Sequence, residues 1–343
     1  MPVAEEPRVA ILAEGLLSRH TAKTAIGVLR YAPYPVVAII DSTRAGTDAS
    51  AELGVGAGVP VVATVVLIGT AAPGGRIADH YRGHLARALE SGLTVWSGLH
   101  ERVLSDLALR DAAARGGGRV RELREPPVDL PIGGHRARRA GSRVVLTVGS
   151  DAAVGKMTVA LELVRALERA GQRAAFVATG QTGIAIAGRG ISVDAVVADF
   201  IAGAAEAMVC DAAESADWVV VEGQGSLTHP GFSGVTLGLL HGSAPDMLLL
   251  CHDAARTEVK GFPGMPLRSL GELVPLYETA ATWTRAAGTR VPVIAVSLNT
   301  SALDDVAARR AIAAAETETG LPAADPVRER DAGGDRLAAA ALR

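Results

Sequence analysis

The residues best placed for chemistry are a lysine behind a glycine and a carboxylate at the end of an apolar run. Residues 144–158 read VVLTVGSDAAVGKMT. A β-branched run enters a turn opened by Gly149, and Gly155-Lys156 begins an amphipathic stretch. In such a turn the backbone N–H groups of Ser150, Asp151, Ala152 and Val154 converge on one point. The start of the following helix adds partial positive charge, and Lys156 adds a full one, so the expected ligand is a phosphate. Five residues, not the usual four, separate Gly149 from Gly155. Met157 stands where a hydroxyl is common, and Thr158 follows one place later as the candidate hydroxyl for a magnesium ion.

The second group is Trp218–Ser226, WVVVEGQGS. An apolar strand ending in Glu222 and a flexible loop suits a carboxylate that holds Mg²⁺ directly or through water. A strand-end acid paired with a basic side chain is the alternative. Gln224, Ser226 and His229 follow in the same loop. Between the two groups lies Thr179–Gly183, TGQTG, at the end of another apolar run. Its Gln181 and Thr182 can hydrogen-bond a polar substrate, and Arg189 between two glycines suits a carboxylate. Asp194 and Asp199 are open to a metal, a substrate amine or a helix cap. His229, His241 and His252 are each either a general base near neutral pH or a buried structural imidazole. Cys251 and His252 are adjacent on a strand, point to opposite faces and form no chelate.

These groups need a scaffold, and the apolar pattern supplies one. Short β-branched runs alternate with amphipathic stretches along the whole chain, which predicts parallel sheets covered by helices on both faces. The expected strands of the first part are Arg8–Leu12, Val36–Ile40, one or two within Val55–Pro73 (Val61–Val62 and Val65–Ile68), and Leu93–Trp96. Its expected helices are Thr21–Tyr31, Ile77–Leu89 and Glu101–Ala114. A Pro- and Gly-rich stretch, Pro126–Gly141, reads as a linker. Beyond it the expected strands are Val144–Val148, Ala174–Ala178, Trp218–Val221, Met247–Cys251 and Val291–Val296. The matching helices are Lys156–Ala170, Ile201–Ala213, Leu270–Ala287 and Leu303–Thr319. The resulting division is a Rossmann-like α/β domain over 1–127, a linker over 128–142 and a larger P-loop α/β domain over 143–343. In the first domain Ala13-Glu14-Gly15 replaces a GxGxxG turn, so a dinucleotide there is weakly supported even with Asp41 at the second strand end.

Composition narrows the partners. The chain has 343 residues, 34 Lys+Arg against 37 Asp+Glu, 49% hydrophobic residues and 3% aromatic residues. A net charge of −3 offers nucleic acid no basic field, and few aromatics leave little surface for stacking bases. Cys210 and Cys251 are too few for a disulfide framework and fit a reducing cytoplasm. Glycines and prolines interrupt the uncharged stretch 55–73, which argues for strands over a membrane span. The expected partner is a small polar molecule, with self-association into a symmetric homo-oligomer.

The loop's GxDxxVGK form resembles that of dethiobiotin synthetase and its relatives, which make amide or urea bonds using ATP. Taken with ATGQTGIAIAGRG, VVVEGQGSLTHPGFSG and LLHGSAPD, and with KTAIGVLRY and SGLH earlier, the chain resembles the bacterial domain-of-unknown-function family DUF1611. That resemblance spans nearly the whole chain and implies a Rossmann-like part followed by a P-loop part. It also implies D-glutamate N-acetyltransferase activity, with acetyl-CoA as donor. Two reactions follow as expectations. In an N-acyltransferase, Lys156 and the loop amides hold a phosphate of the donor. Glu222 or His229 then takes the amine proton, and Arg189 binds the acceptor carboxylate. In an ATP–Mg²⁺ carboxylate–amine ligase or kinase, Lys156, Thr158 and Glu222 serve phosphoryl transfer. A nucleotide-responsive switch is the non-enzymatic alternative.

Overall fold

The computed structural model describes residues 9–343 except 14–15, 19–20, 42–46, 57–64, 71–74 and 138–139. The chain divides into two units: residues 1–125 with 184–192, and 126–183 with 193–343. The stretch 184–192 therefore belongs to the first unit although it lies deep within the second in sequence.

In the first unit five strands form a parallel sheet in the order β2-β1-β3-β4-β5. They are β1 (Val9–Leu12), β2 (Val36–Ile40), β3 (Val65–Ile68), β4 (Thr94–Ser97) and β5 (Arg119–Glu122). The helices are α1 (Lys23–Tyr31), α2 (Ala49–Leu53), α3 (Asp79–Glu90) and α4 (Leu107–Gly116). Leu12, Val66 and Ile68 pack with Tyr81, Leu85, Leu89 and Leu109 as one core cluster. The helix expected over Glu101–Ala114 is shorter. Val103–Ser105 is a single 3₁₀ turn, and the Asp106 side chain accepts from Ala108 N and Leu109 N, which starts α4 at Leu107. Strand β5, sequence RVRE, and helix α2 were not expected. Arg8, the run Val61–Val62, and residues Glu14 and Gly15 lie outside the described residues.

In the second unit six strands form a parallel sheet in the order β11-β10-β9-β6-β8-β7. They are β6 (Arg143–Gly149), β7 (Ala174–Val177), β8 (Trp218–Val221), β9 (Met247–Asp253), β10 (Val293–Asn299) and β11 (Ala323–Ala324). The helices are α5 (Lys156–Arg169), α6 (Gln181–Ala187, which begins in this unit), α7 (Ala198–Ala213), α8 (Ser233–Gly242), α9 (Leu270–Thr282), α10 (Asp305–Thr319) and α11 (Asp331–Ala341).

Strand β6 is apolar on both sides because both sides are covered. Val144, Leu146 and Val148 pack with Val209 of α7, Leu240 of α8, and Leu273 and Tyr277 of α9. Val145 faces Leu163 and Leu167 of α5 and Leu337 of α11. Its central place sets its carboxyl end between the loops that follow β8 and β9, where open parallel sheets bind ligands. Among the described residues, no helix is long and apolar enough to cross a membrane.

Candidate functional site

The turn between β6 and α5 is held by contacts that need its particular residues. Gly155 adopts φ +107° and Ala153 φ +56°, both in the left-handed region. A Cβ on Gly149 would lie 2.8 Å from Lys156 Nζ and 3.0 Å from Asp151 O, so a side chain there would displace the lysine from its place. Lys156 Nζ donates to Asp151 O at 2.8 Å, and the side chain is buried. Burial pushes its pKa down to about 8, against the opposing pull of Asp151 and Glu222. Cys251 nearby is held as a neutral thiol, pushed up to about 12 by burial.

Glu222 stands at the end of β8, next to β6, and is likewise buried. Its Oε2 accepts from Thr179 N at 2.9 Å and Gly180 N at 3.2 Å. Burial drives its pKa up to about 7. The two amide hydrogen bonds and Lys156 work against that rise, and Asp194 adds to it. Glycines permit this approach. A Cβ on Gly183 would sit 2.4 Å from Glu222 Oε2, one on Gly180 2.4 Å from Gln224 Nε2, and one on Gly223 1.6 Å from Thr147 O. The TGQTG and EGQG segments thus fit against each other and against β6. Gln224 Nε2 also donates to Thr179 Oγ1 at 3.3 Å.

Three of the expected residues have structural work here. Asp151 is fully buried. It accepts from Ala152 N, from Lys260 N at 2.8 Å and from Arg256 Nη1 at 3.0 Å. His229 lies 3.9 Å from Asp151, stacked on Phe232 and edge-on to Phe262. Its Nδ1 accepts from Gly231 N at 3.1 Å, so Nε2 carries the proton and donates to Lys260 O at 3.1 Å. With both ring nitrogens committed to backbone, His229 offers no lone pair for the base role expected of it. The Ser226 hydroxyl is buried beside Thr228 Oγ1 at 3.2 Å and Tyr277 Oη at 3.4 Å.

The remaining expected residues are spread around the loop ends. Met157 and Thr158 are half-buried in the first turn of α5, and Gln181 and Thr182 are half-buried at the start of α6. Arg189 belongs to the first unit, whereas the lysine and both carboxylates belong to the second. Asp199 is exposed at the start of α7. His241 Nε2 hydrogen-bonds Ala280 O, and His252 Nδ1 lies 2.8 Å from Ser150 Oγ.

Two residues of the site carried no motif. Tyr277 Oη donates to Gly149 O at 2.7 Å and accepts from Leu227 N at 3.1 Å, pinning both loops from α9. Arg256 reaches back to the phosphate-type turn from the loop after β9. The position of that loop, beyond the carboxyl end of a neighbouring strand, was the available signal for it.

Glu222 has no cation within ion-pair distance among the described residues, and its two amide partners occupy only Oε2. Mg²⁺ binds through one or two carboxylates and keeps several waters, so a buried carboxylate in this state fits it. Glu222 would hold the ion, with the Thr158 hydroxyl as a second donor. The bound ion would supply charge neutralisation of a phosphate. No group of three or more His, Cys, Asp or Glu among the described residues forms a competing metal cluster.

A parallel α/β sheet whose central strand feeds a lysine-bearing anion turn, preceded by a separate Rossmann-like unit, defines a two-part P-loop protein. The chain belongs to the DUF1611 family. Residues 131–338 match its domain of unknown function (DUF1611_C) P-loop domain, and residues 41–126 match its DUF1611_N Rossmann-like domain. A protein from Tritonibacter scottomollicae named D-glutamate N-acetyltransferase is 37% identical over 90% of this chain and 91% of its own length. One of the same name from a Pseudoalteromonas species is 37% identical over 78% and 79%. The crystal structure of a DUF1611 family protein from Anabaena variabilis superposes with a TM-score of 0.90 at 40% identity, covering 98% of this chain and 99% of that one.

Proposed function

We propose that this chain transfers an acetyl group from acetyl-CoA to the amine of an acidic amino acid of the D-glutamate type. The observation that carries this reading is the similarity to two relatives of that name, one of them over nine-tenths of both chains. In this reading the loop amides and Lys156 hold a phosphate of the donor. Glu222, a buried carboxylate with a pKa near 7, takes the proton that the acceptor ammonium must lose before its nitrogen can attack. The C–N bond then forms, the C–S bond breaks, and the departing thiolate takes up a proton. Gln181, Thr182 and Gln224, all of the second unit, are the residues assigned to the acceptor.

The test is thiol release from acetyl-CoA by the purified protein, with D- and L-glutamate as acceptors. Thiol release that depends on the acceptor and needs no nucleotide supports the transfer. The placement of a buried lysine and a buried carboxylate in the turns that follow the adjacent strands β6 and β8 favours one second reading, an ATP–Mg²⁺ ligase. ADP formation that depends on the amino acid, with acetyl-CoA untouched, would establish that reading and reject the first.

A further inference from the structure

We propose that Arg256 is a positioning residue that presets the turn of Lys156 for its anion, acting together with Asp151. The assignment rests on the anion-binding part of the reading above and not on the acetyl chemistry.

A backbone turn binds an anion when its N–H groups converge inward, which requires its carbonyls to be held outward. Arg256 does this from more than a hundred residues away in sequence. Its Nη1 donates to Ala152 O at 2.6 Å and to Asp151 Oδ2 at 3.0 Å. Its Nη2 donates to Ala153 O at 3.4 Å and to Asp253 Oδ2 at 3.2 Å. Asp253 is the last residue of β9, so the guanidinium is anchored to the sheet while its fork grips the turn. The gripped peptide includes Ala153, a non-glycine residue at φ +56°, a conformation that persists only where its surroundings enforce it.

Charge gives a second, independent reason. Asp151 is a fully buried carboxylate inside a turn meant for an anion, and alone it would repel that anion. Its donors are two backbone amides, Ala152 N and Lys260 N, and the Arg256 guanidinium. Arg256 supplies the full positive charge that offsets it. Lys156, which is bonded to the Asp151 carbonyl, is then left as net positive charge for the ligand. Without Arg256, Lys156 and Asp151 cancel. A lysine at 256 would keep the charge but not the fork that spans two carbonyls and two carboxylates.

The experiment measures binding of inorganic pyrophosphate to the full chain by calorimetry, alongside thermal melting. Arg256→Ala is expected to weaken pyrophosphate roughly 100-fold, as expected for a buried carboxylate left without its cation. Arg256→Lys is expected to recover only part of that loss. Asp151→Asn combined with Arg256→Gln restores the charge balance and is expected to bind better than Arg256→Ala. That gain is one a purely structural role would not produce. It also serves as the readout should Arg256→Ala fail to fold. Wild-type affinity in Arg256→Ala, full rescue by lysine, or no gain in the double variant would each overturn the assignment. A wild-type protein that binds pyrophosphate yet transfers no acetyl group would defeat the proposed reaction and leave this assignment standing. A wild-type protein that does not bind pyrophosphate would overturn the assignment itself.

Discussion

The two sheets handle charge at their carboxyl ends in opposite ways. In the first unit the loops after β3 and β4 surround an open cavity of about 710 Å³ lined by Arg76, Asp79, Arg82, His100 and Glu101. Its charges are partly exposed and pair with one another. Arg82 contacts Glu101 at 3.1 Å, Asp79 at 3.5 Å and also Asp106. In the second unit Lys156, Asp151 and Glu222 are buried. Lys156 and Glu222 there have pKa values of about 8 and about 7, each moved by burial toward its neutral form. Burying charge without full pairing is costly, and a fold retains it where a ligand will complete the site. Substitutions at the buried, incompletely paired charges of the second unit should therefore matter more than those in the first.

The largest effect is expected from Lys156→Ala. Removing the one full positive charge aimed into the turn should weaken pyrophosphate by roughly 100- to 1,000-fold, as for other truncated, desolvated ion pairs. The turn itself is held by backbone, Arg256 and Tyr277, so the melting temperature should change little. Calorimetry with unchanged affinity would remove Lys156 from the site and dissolve the contrast between the units.

Glu222 gives the next largest effect, visible as pH dependence. Its folded pKa of about 7 lies above the ordinary 4.5, so the folded state binds more protons than the unfolded state between those values. The contribution of Glu222 to stability is therefore greatest below pH 4.5 and is lost as pH rises through 7. Across that window the loss is about 3 kcal/mol, from the size of the shift. Glu222→Gln removes the titration, so its stability should stay level between pH 5 and 8 while that of the wild type falls. Lys156 acts in a separate window. Its lowered pKa makes stability rise as pH increases from about 8 to 10.5. Denaturant midpoints at pH 5, 8 and 10 separate the two, and a wild-type curve flat from 5 to 8 would contradict a buried, protonatable Glu222.

Tyr277→Phe comes third. It deletes the fully buried hydroxyl that bonds Gly149 O and Leu227 N, leaving a part-buried amide without its partner. A loss of about 1–2 kcal/mol is expected, together with weaker pyrophosphate binding because the first residue of the turn is released. Equilibrium unfolding and the same calorimetry check both parts. Intact binding with reduced stability would confine Tyr277 to packing.

Much of this contrast was legible in the sequence, and what was hidden has physical causes. Val36–Ile40, Val65–Ile68 and Trp218–Val221 are strands at the residues their apolar runs mark, because burial on both faces demands such runs. Strand β5 was hidden because RVRE is an edge strand whose side chains are only half-buried or exposed. Helix α11 was hidden by Gly333 and Gly334, which lower helix propensity. The fold uses them for close contact, since a Cβ on Gly333 would meet Asp325 O at 2.8 Å. In the site, Lys156 and Glu222 were readable because each follows a strand into a glycine-rich turn. Arg256 and Tyr277 were not, because they act through contacts with residues more than a hundred positions away. The base role expected of His229 rested on residue type alone. Only the structure shows that both its nitrogens are spent on backbone.

The smallest effect is expected in the first unit and completes the comparison. Arg82 makes more ion pairs than any charged side chain around the second unit's turn, yet its loss should matter least. Its side chain is a third exposed, so each pair is screened by water and salt. Its partners also keep other work. Glu101 still accepts from Ile77 N at 2.8 Å, and Asp106 still caps α4 through Ala108 N and Leu109 N. Arg82→Ala should therefore cost at most about 1 kcal/mol, shrinking further in high salt. A loss of several kcal/mol that salt does not relieve would mean that this cluster, like that of the second unit, depends on uncompensated charge, and the distinction between the two sheet ends would fail.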